Sequence, residues 1–147
     1  SGVFLSNVAG IGGVIAGNTT TGPTSGGTIT INATGTSSGR YGLQNNAAPV
    51  VAFDQITVTA TAVGNHAFIM NGTGAKVQSA SDVTINATQG TWGLTMYDNS
   101  FIQSTKANSL STGNVSITAS GTSGGLYMNT TGGIYASSNT ANTHQLK

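Results

Sequence analysis

The stretch GNVSITASGTSGGLYMN, residues 113–129, contains the unit that the rest of the chain repeats. It predicts a strand with Val115 and Ile117 inward, a corner of glycine, serine and threonine, and a second strand that opens Gly-Leu-x-Met-Asn. Two earlier stretches have the same form, DVTINATQGTWGLTMY at 82–97 and QITVTATAVGNHAFIMN at 55–71, and a looser copy lies at 28–46. Self-similarity at a regular spacing is typical of repeat architectures.

Three strands recur in the same order in every repeat, and their spacing shows whether they belong to one unit. The first-strand positions are 27, 27 and 32 residues apart, the second-strand positions 25, 26 and 32, and the third-strand positions 26, 25 and 32. All three series lengthen together at the last step, so one insertion, which we place at residues 106–109, explains the difference. The aligned positions, strand by strand, are Ile29, Ile56, Val83 and Val115; Leu43, Phe68, Leu94 and Leu126; and Val51, Val77, Ile102 and Ile134.

Short strands in repeats of about 26 residues, joined by polar corners, predict a parallel β-solenoid. An antiparallel sandwich would also contain many short strands, but it gives no reason for inward residues to recur by column. Disorder is disfavoured because the apolar residues keep a period of two. The expected fold is all-β: a three-faced parallel β-helix of about four turns, forming one domain over 1–147 with repeats at 28–54, 55–81, 82–113 and 114–138 and partial end turns at 1–27 and 139–147.

The inward side chains of the first and second strands should form a continuous core, because each turn buries its apolar face only against its neighbours. The predicted core consists of Ile29, Ile31, Leu43, Ile56, Val58, Phe68, Met70, Val83, Ile85, Leu94, Met96, Val115, Ile117, Leu126 and Met128.

The repeats VTINATQGTWGLTMYDNS, residues 83–100, and NVSITASGTSGGLYMNTTGG, residues 114–133, resemble those of bacterial autotransporter passengers and haemagglutinin-type exoproteins. The resemblance covers most of residues 28–138. It implies a right-handed parallel β-helix that is secreted and works outside the cell or on its surface.

The composition narrows the possible partners. Charged residues make up 5% of the 147 residues and the net charge is +1, so we expect neither nucleic-acid binding nor attraction to an anionic membrane. No apolar run reaches the roughly 18 residues that a membrane helix needs, so we expect no membrane insertion. The chain contains no cysteine, which excludes a disulfide framework and thiolate metal sites.

The acidic and histidine residues do not predict catalysis or a cofactor. The three acids are Asp54, Asp82 and Asp98, and the first two are offset by one position in the repeat, which argues against the carboxylate pair of a glycosidase. His66 and His144 lie far apart in sequence without an acidic cluster, which predicts no metal site. We therefore expect a non-enzymatic protein without a cofactor.

Two outward surfaces are candidates for binding. The first strands carry a ladder that resembles the flat faces of solenoid ice-binding proteins, although stacked threonines also simply pair along β-ladders. Tyr97 and Tyr127 should face outward on neighbouring turns, where a shared aromatic shelf would suit a glycan or another subunit. The outward ladder consists of Thr30, Asn32, Thr57, Thr59, Thr84, Asn86, Ser116 and Thr118.

The two ends of the sequence predict assembly. The segment 2–7 resembles a second strand and 13–16 a third strand, while 144–146 falls where a new first strand would start. We therefore expect either a segment of a longer surface adhesin or a subunit that stacks head to tail into a filament, with itself as partner. The residues expected at the end-to-end contact are Val3, Leu5, Val14, Ile134 and Leu146.

Overall fold

The computed structural model describes residues 2–6, 14–16, 27–105 and 113–136. The regular structure in this part of the chain is entirely β-strand. In chain order the strands are β1 (Val3–Ser6), β2 (Val14–Ala16), β3 (Ile29–Gly35), β4 (Leu43–Asn46), β5 (Pro49–Ala52), β6 (Ile56–Ala62), β7 (Phe68–Asn71), β8 (Lys76–Ser79), β9 (Val83–Gln89), β10 (Trp92–Asp98), β11 (Phe101–Ser104), β12 (Val115–Ala119), β13 (Gly124–Thr130) and β14 (Gly133–Tyr135).

These strands form three parallel sheets, and consecutive strands of the chain always belong to different sheets. The first sheet has the order β3-β6-β9-β12, the second β1-β4-β7-β10-β13, and the third β2-β5-β8-β11-β14. The chain therefore visits each face once per turn and lays every turn on the preceding one. This arrangement confirms the predicted three-faced parallel β-solenoid of about four turns.

The register of the first two sheets is the one that the sequence predicts. Ile56 pairs with Ile29 and with Val83, and Val115 continues that column. In the second sheet Phe68 lies between Leu43 and Leu94, and Leu126 follows. Since side chains alternate between the two faces of a strand, this register directs one apolar column of each sheet into the interior.

The predicted alignment of the third strands is wrong by one residue at Val51, the first residue of the predicted column. Val77 pairs with Val50, which is buried, whereas Val51 pairs with Gln78 and is half-buried. The inward column is therefore Val50, Val77, Ile102 and Ile134. Two adjacent valines satisfy the hydrophobic pattern equally well, so the sequence pattern alone does not choose between them.

The interior is mainly apolar and continuous along the middle turns, although Asn45 is fully buried in the column of Leu5 and Met70, and it opens at the last turn. Leu94 and Met96 are completely buried, whereas their equivalents Leu126 and Met128 are 44% and 41% exposed. The prediction that these last two residues are buried core is therefore wrong for the described chain. They occupy the inward columns, but β13 is an edge strand of its sheet, and neighbouring turns supply the burial in a solenoid.

The two N-terminal segments join the sheets as predicted. β1 pairs with β4 so that Val3 adjoins Leu43, and β2 pairs with β5 so that Val14 adjoins Val50. The expected insertion at residues 106–109 lies outside the described residues, but β11 and β12 on either side of it keep their register with the preceding turn. The expected first strand at 144–146 also lies outside the described residues.

Candidate functional site

The predicted hydroxyl and amide ladder lies in register across the first sheet. One column contains Thr30, Thr57, Thr84 and Ser116, and the next contains Asn32, Thr59, Asn86 and Thr118. A third column, which we did not predict, contains Thr34, Thr61 and Thr88, and the hydroxyl of Thr61 donates to that of Thr34 at 3.2 Å. The outer face of the first sheet is therefore a regular uncharged array of hydroxyls, amides and methyl groups.

The second sheet carries an aromatic cluster on its outer face, formed by Trp92, Tyr97 and Tyr127. The Tyr127 ring lies 5.3 Å from the Trp92 ring and 5.8 Å from the Tyr97 ring, both in tilted geometry. The indole fits because Gly124 is its neighbour on the next turn, and a Cβ added there would lie 2.1 Å from the ring. Tyr97 and Tyr127 are brought together as predicted, and Trp92 extends their surface.

His66 lies on the same face but one turn away, and its contacts are structural. Its Nδ1 lies 2.6 Å from the hydroxyl of Thr95, which is fully buried, and its ring is 5.7 Å from that of Tyr41. Burial lowers the pKa of His66 below its ordinary value of 6.5. His144, the other histidine, lies outside the described residues.

The aspartates lie at corners of the solenoid. The carboxylate of Asp82 accepts from the backbone N–H of Asn114 at 2.8 Å, and that of Asp98 accepts from the N–H of Gly72 at 2.7 Å. The backbone register pairs Asp82 with Gln55 of the preceding turn. Asp54 and Asp82 therefore differ by one position in the repeat, as the sequence predicts. The carboxylates of Asp82 and Asp98 thus join consecutive turns.

A cleft of about 480 Å³ opens at the corner that follows the second sheet. The preceding strands end there in left-handed residues, with φ of +85° at Gly72 and +55° at Asp98. Because asparagine, aspartate and glycine tolerate this conformation best, the alignment of Gly72 with Asp98 was a signal that sequence reasoning missed. The cleft is lined by Thr73, Tyr97, Asp98, Asn99, Asn129 and Thr131.

The residues predicted to mediate end-to-end contact lie in edge strands. Val3 and Leu5 in β1 and Ile134 in β14 are partly buried against the core. The backbone of Val14 lies in edge strand β2, and Leu146 lies outside the described residues. The sequence did not indicate Leu126 and Met128 as contact residues. Both lie in inward columns of the edge strand β13, and both are exposed.

The fold and these surfaces define a three-faced parallel β-solenoid with a regular hydroxyl face and an aromatic cleft. Comparison of the chain with protein-family models, curated proteins and solved structures finds no match. Within the described residues there is no group of three or more histidine or acidic side chains placed to hold a metal ion. The same part of the chain has no helix that is long and apolar enough to span a membrane.

Proposed function

We propose that this chain is a non-catalytic structural and adhesive module that works outside the cell and assembles head to tail. The observation that carries the proposal is the exposure of Leu126 and Met128 in columns whose inner members are fully buried. An apolar surface of this kind on an edge strand is a template for pairing with another chain. The extracellular location rests on the resemblance of the repeats to autotransporter passengers and haemagglutinin-type exoproteins.

The opposite edge of the same sheet has the complementary register. Val3 belongs to the column of Leu126, and Leu5 to the column of Met128. If β1 of a second copy adds to β13, each of these apolar pairs meets and the inward columns continue across the junction. β2 of that copy would meet β14 in the third sheet, with Val14 on Ile134. Such a contact is heterologous and does not close, so it generates filaments.

The low charge favours this assembly, because a net charge of +1 leaves little electrostatic repulsion between stacked copies. The same exposed turn would equally be covered by further turns of a longer surface adhesin. A single experiment separates the two cases, since only self-assembly makes the mass of the particle depend on the protein concentration.

Light scattering at increasing protein concentration tests the proposal. We expect the mass to rise without a fixed limit, and we expect deletion of residues 1–7, which removes β1, to leave a folded monomer. Met128→Lys should also block growth, because it places a charge on the apolar junction. The matched control is Thr118→Lys, which adds the same charge to an exposed outward position on the last turn. A monodisperse monomer at high concentration would contradict head-to-tail assembly.

The third threonine column favours a second candidate function, ice binding by the outer face of the first sheet. Strands in a sheet are about 4.8 Å apart and alternate residues along a strand about 6.7 Å apart, so the three columns form a regular two-dimensional array of hydroxyls and methyl groups. Thermal hysteresis of the purified protein tests this function. We expect Thr57→Leu and Thr84→Leu to reduce it without unfolding the chain, and Gln103→Leu on the third sheet to leave it unchanged.

A further inference from the structure

We infer that the corner cleft and the adjoining aromatic cluster form a binding site for a neutral saccharide. Tyr97 belongs to both features: it lines the cleft, and its ring contacts Tyr127. The site therefore combines an aromatic surface with a concave polar wall. This combination suits a sugar ring, which presents one face of C–H groups and an edge of hydroxyls.

The aromatic part of the site is accessible from solvent. Tyr127 is 38% exposed, and Trp92 and Tyr97 are partly exposed. The three rings lie on the outer face of the second sheet, away from the inward columns of Leu126 and Met128. End-to-end stacking would bring Phe4 of the next copy beside Tyr127, so the site is open at the free end of the solenoid, and its tests use dilute protein.

The polar wall offers both hydrogen-bond donors and acceptors at short range. Asn99 and Asn129 are exposed, and each amide can donate and accept, while the carboxylate of Asp98 accepts only. Neighbouring sugar hydroxyls need this mixture, because each of them also donates and accepts. The volume of about 480 Å³ lies within the range of roughly 300–1,000 Å³ that is usual for small-ligand sites.

The wall is held in place before any ligand arrives. The carbonyl of Asp98 accepts from the N–H of Thr131 at 2.9 Å, and its carboxylate accepts from the N–H of Gly72, so three consecutive turns are joined at this corner. The hydroxyl of Thr131 also donates to the side-chain oxygen of Asn99. A preorganised site loses less conformational entropy on binding.

The charge of the lining selects the class of sugar. The lining contains the carboxylate of Asp98, and none of the described residues that line the cleft is lysine, arginine or histidine. A uronic acid, a sialic acid or a phosphate would place a second negative charge beside this carboxylate. Neutral hexoses and N-acetylhexosamines avoid that repulsion, and their ring C–H faces can lie against Tyr127.

Saturation-transfer NMR tests the site with chitotriose, cellotetraose, lactose and tri-galacturonic acid as probes. We expect at least one of the three neutral sugars to receive saturation at its ring C–H protons, and the acidic sugar to receive none. Fluorescence of Trp92, the one tryptophan of the chain, should change in parallel and give the affinity. Absence of binding by all neutral probes up to about 50 mM, where a millimolar complex is saturated, would overturn the inference.

Variants assign the binding to this cleft. Tyr127→Ala should weaken binding about tenfold, because it removes the stacking ring. Tyr135→Ala is the matched control, since Tyr135 is an exposed tyrosine on the third sheet. Circular dichroism checks the fold of each variant. If Tyr127→Ala does not fold, Asn129→Ala replaces it as the cleft variant, and it too should weaken binding. Wild-type affinity in a folded cleft variant, or equal losses in the cleft and control variants, would overturn the inference.

Discussion

Leu94 and Leu126 belong to the same inward column, but Leu94 lies between two neighbouring turns and Leu126 lies on the edge strand β13. The same substitution can therefore be compared at both positions. Leu94 is fully buried, so Leu94→Ala removes its burial and leaves a cavity, at a cost of about 3–5 kcal/mol in the free energy of unfolding. Leu126 is 44% exposed, so little more than half of a transfer free energy of roughly 1.5–3 kcal/mol is lost, and solvent fills the space. We therefore expect Leu126→Ala to cost only about 1–1.5 kcal/mol.

Urea unfolding followed by circular dichroism measures both costs. The protein should be dilute, so that end-to-end contacts do not cover Leu126 during the measurement. At higher concentration the cost of Leu126→Ala should rise, because the junction then buries that side chain, while the cost of Leu94→Ala should stay constant. Equal costs for the two variants in dilute solution would refute the open last turn, and a negligible cost at Leu94 would refute the register.

Ile85→Asp should abolish the strand signal in circular dichroism, because it buries a carboxylate in the interior, whereas Thr84→Asp on the outer face should fold; a folded Ile85→Asp variant would contradict the inward assignment. Stability should fall as the pH drops below 6.5, because the lowered pKa of His66 makes the unfolded state bind its proton first, and the loss should level off below the folded-state pKa. In His66→Asn the fall of the urea midpoint below pH 6.5 should disappear. If the fall persists in this variant, a group other than His66 causes it. Gly124→Ala should keep the fold but displace the indole of Trp92, so its fluorescence should shift; an unchanged spectrum would contradict the contact.

The repeating part of the fold is readable from the sequence because the columns of a solenoid are set by spacing. Ile29, Ile56, Val83 and Val115 recur at the same place in each turn, and the structure pairs them directly. Spacing fails where the local pattern is ambiguous: residues 50 and 51 are both valine, and only the structure shows that Val50 is the one that pairs with Val77. Spacing also does not predict that Leu126 is exposed, because an inward residue is buried only where a neighbouring turn covers it.

The candidate sites were predictable to different degrees. Two columns of the ladder, from Thr30 to Thr118, follow from alternation along the first strands, whereas the third column, Thr34, Thr61 and Thr88, was not predicted. The aromatic cluster was predicted only in part, because the indole of Trp92 reaches across to the next turn through the space left by Gly124. The cleft depends on the left-handed turn at Asp98, which recurs at the equivalent Gly72 and Ala47, and the different residue types at these positions hide the recurrence in the sequence.

A disulfide across the junction between copies tests head-to-tail stacking most directly, because the chain contains no cysteine of its own. Phe4 and Tyr127 are exposed and belong to the same outward column, at opposite edges of the second sheet. Within one copy they are about four strand spacings or 19 Å apart, beyond the roughly 7 Å that a disulfide can bridge, whereas stacked copies bring them to one spacing of about 4.8 Å.

We predict that the double variant Phe4→Cys/Tyr127→Cys forms a ladder of covalent multimers on mild oxidation, seen on a non-reducing gel. The control pair Phe4→Cys/Thr57→Cys places its second cysteine on β6 of the first sheet, two strands from the edge strand β12, and should give only the background of random collisions. Equal multimer yields from the two pairs would contradict the stacking of β13 on β1.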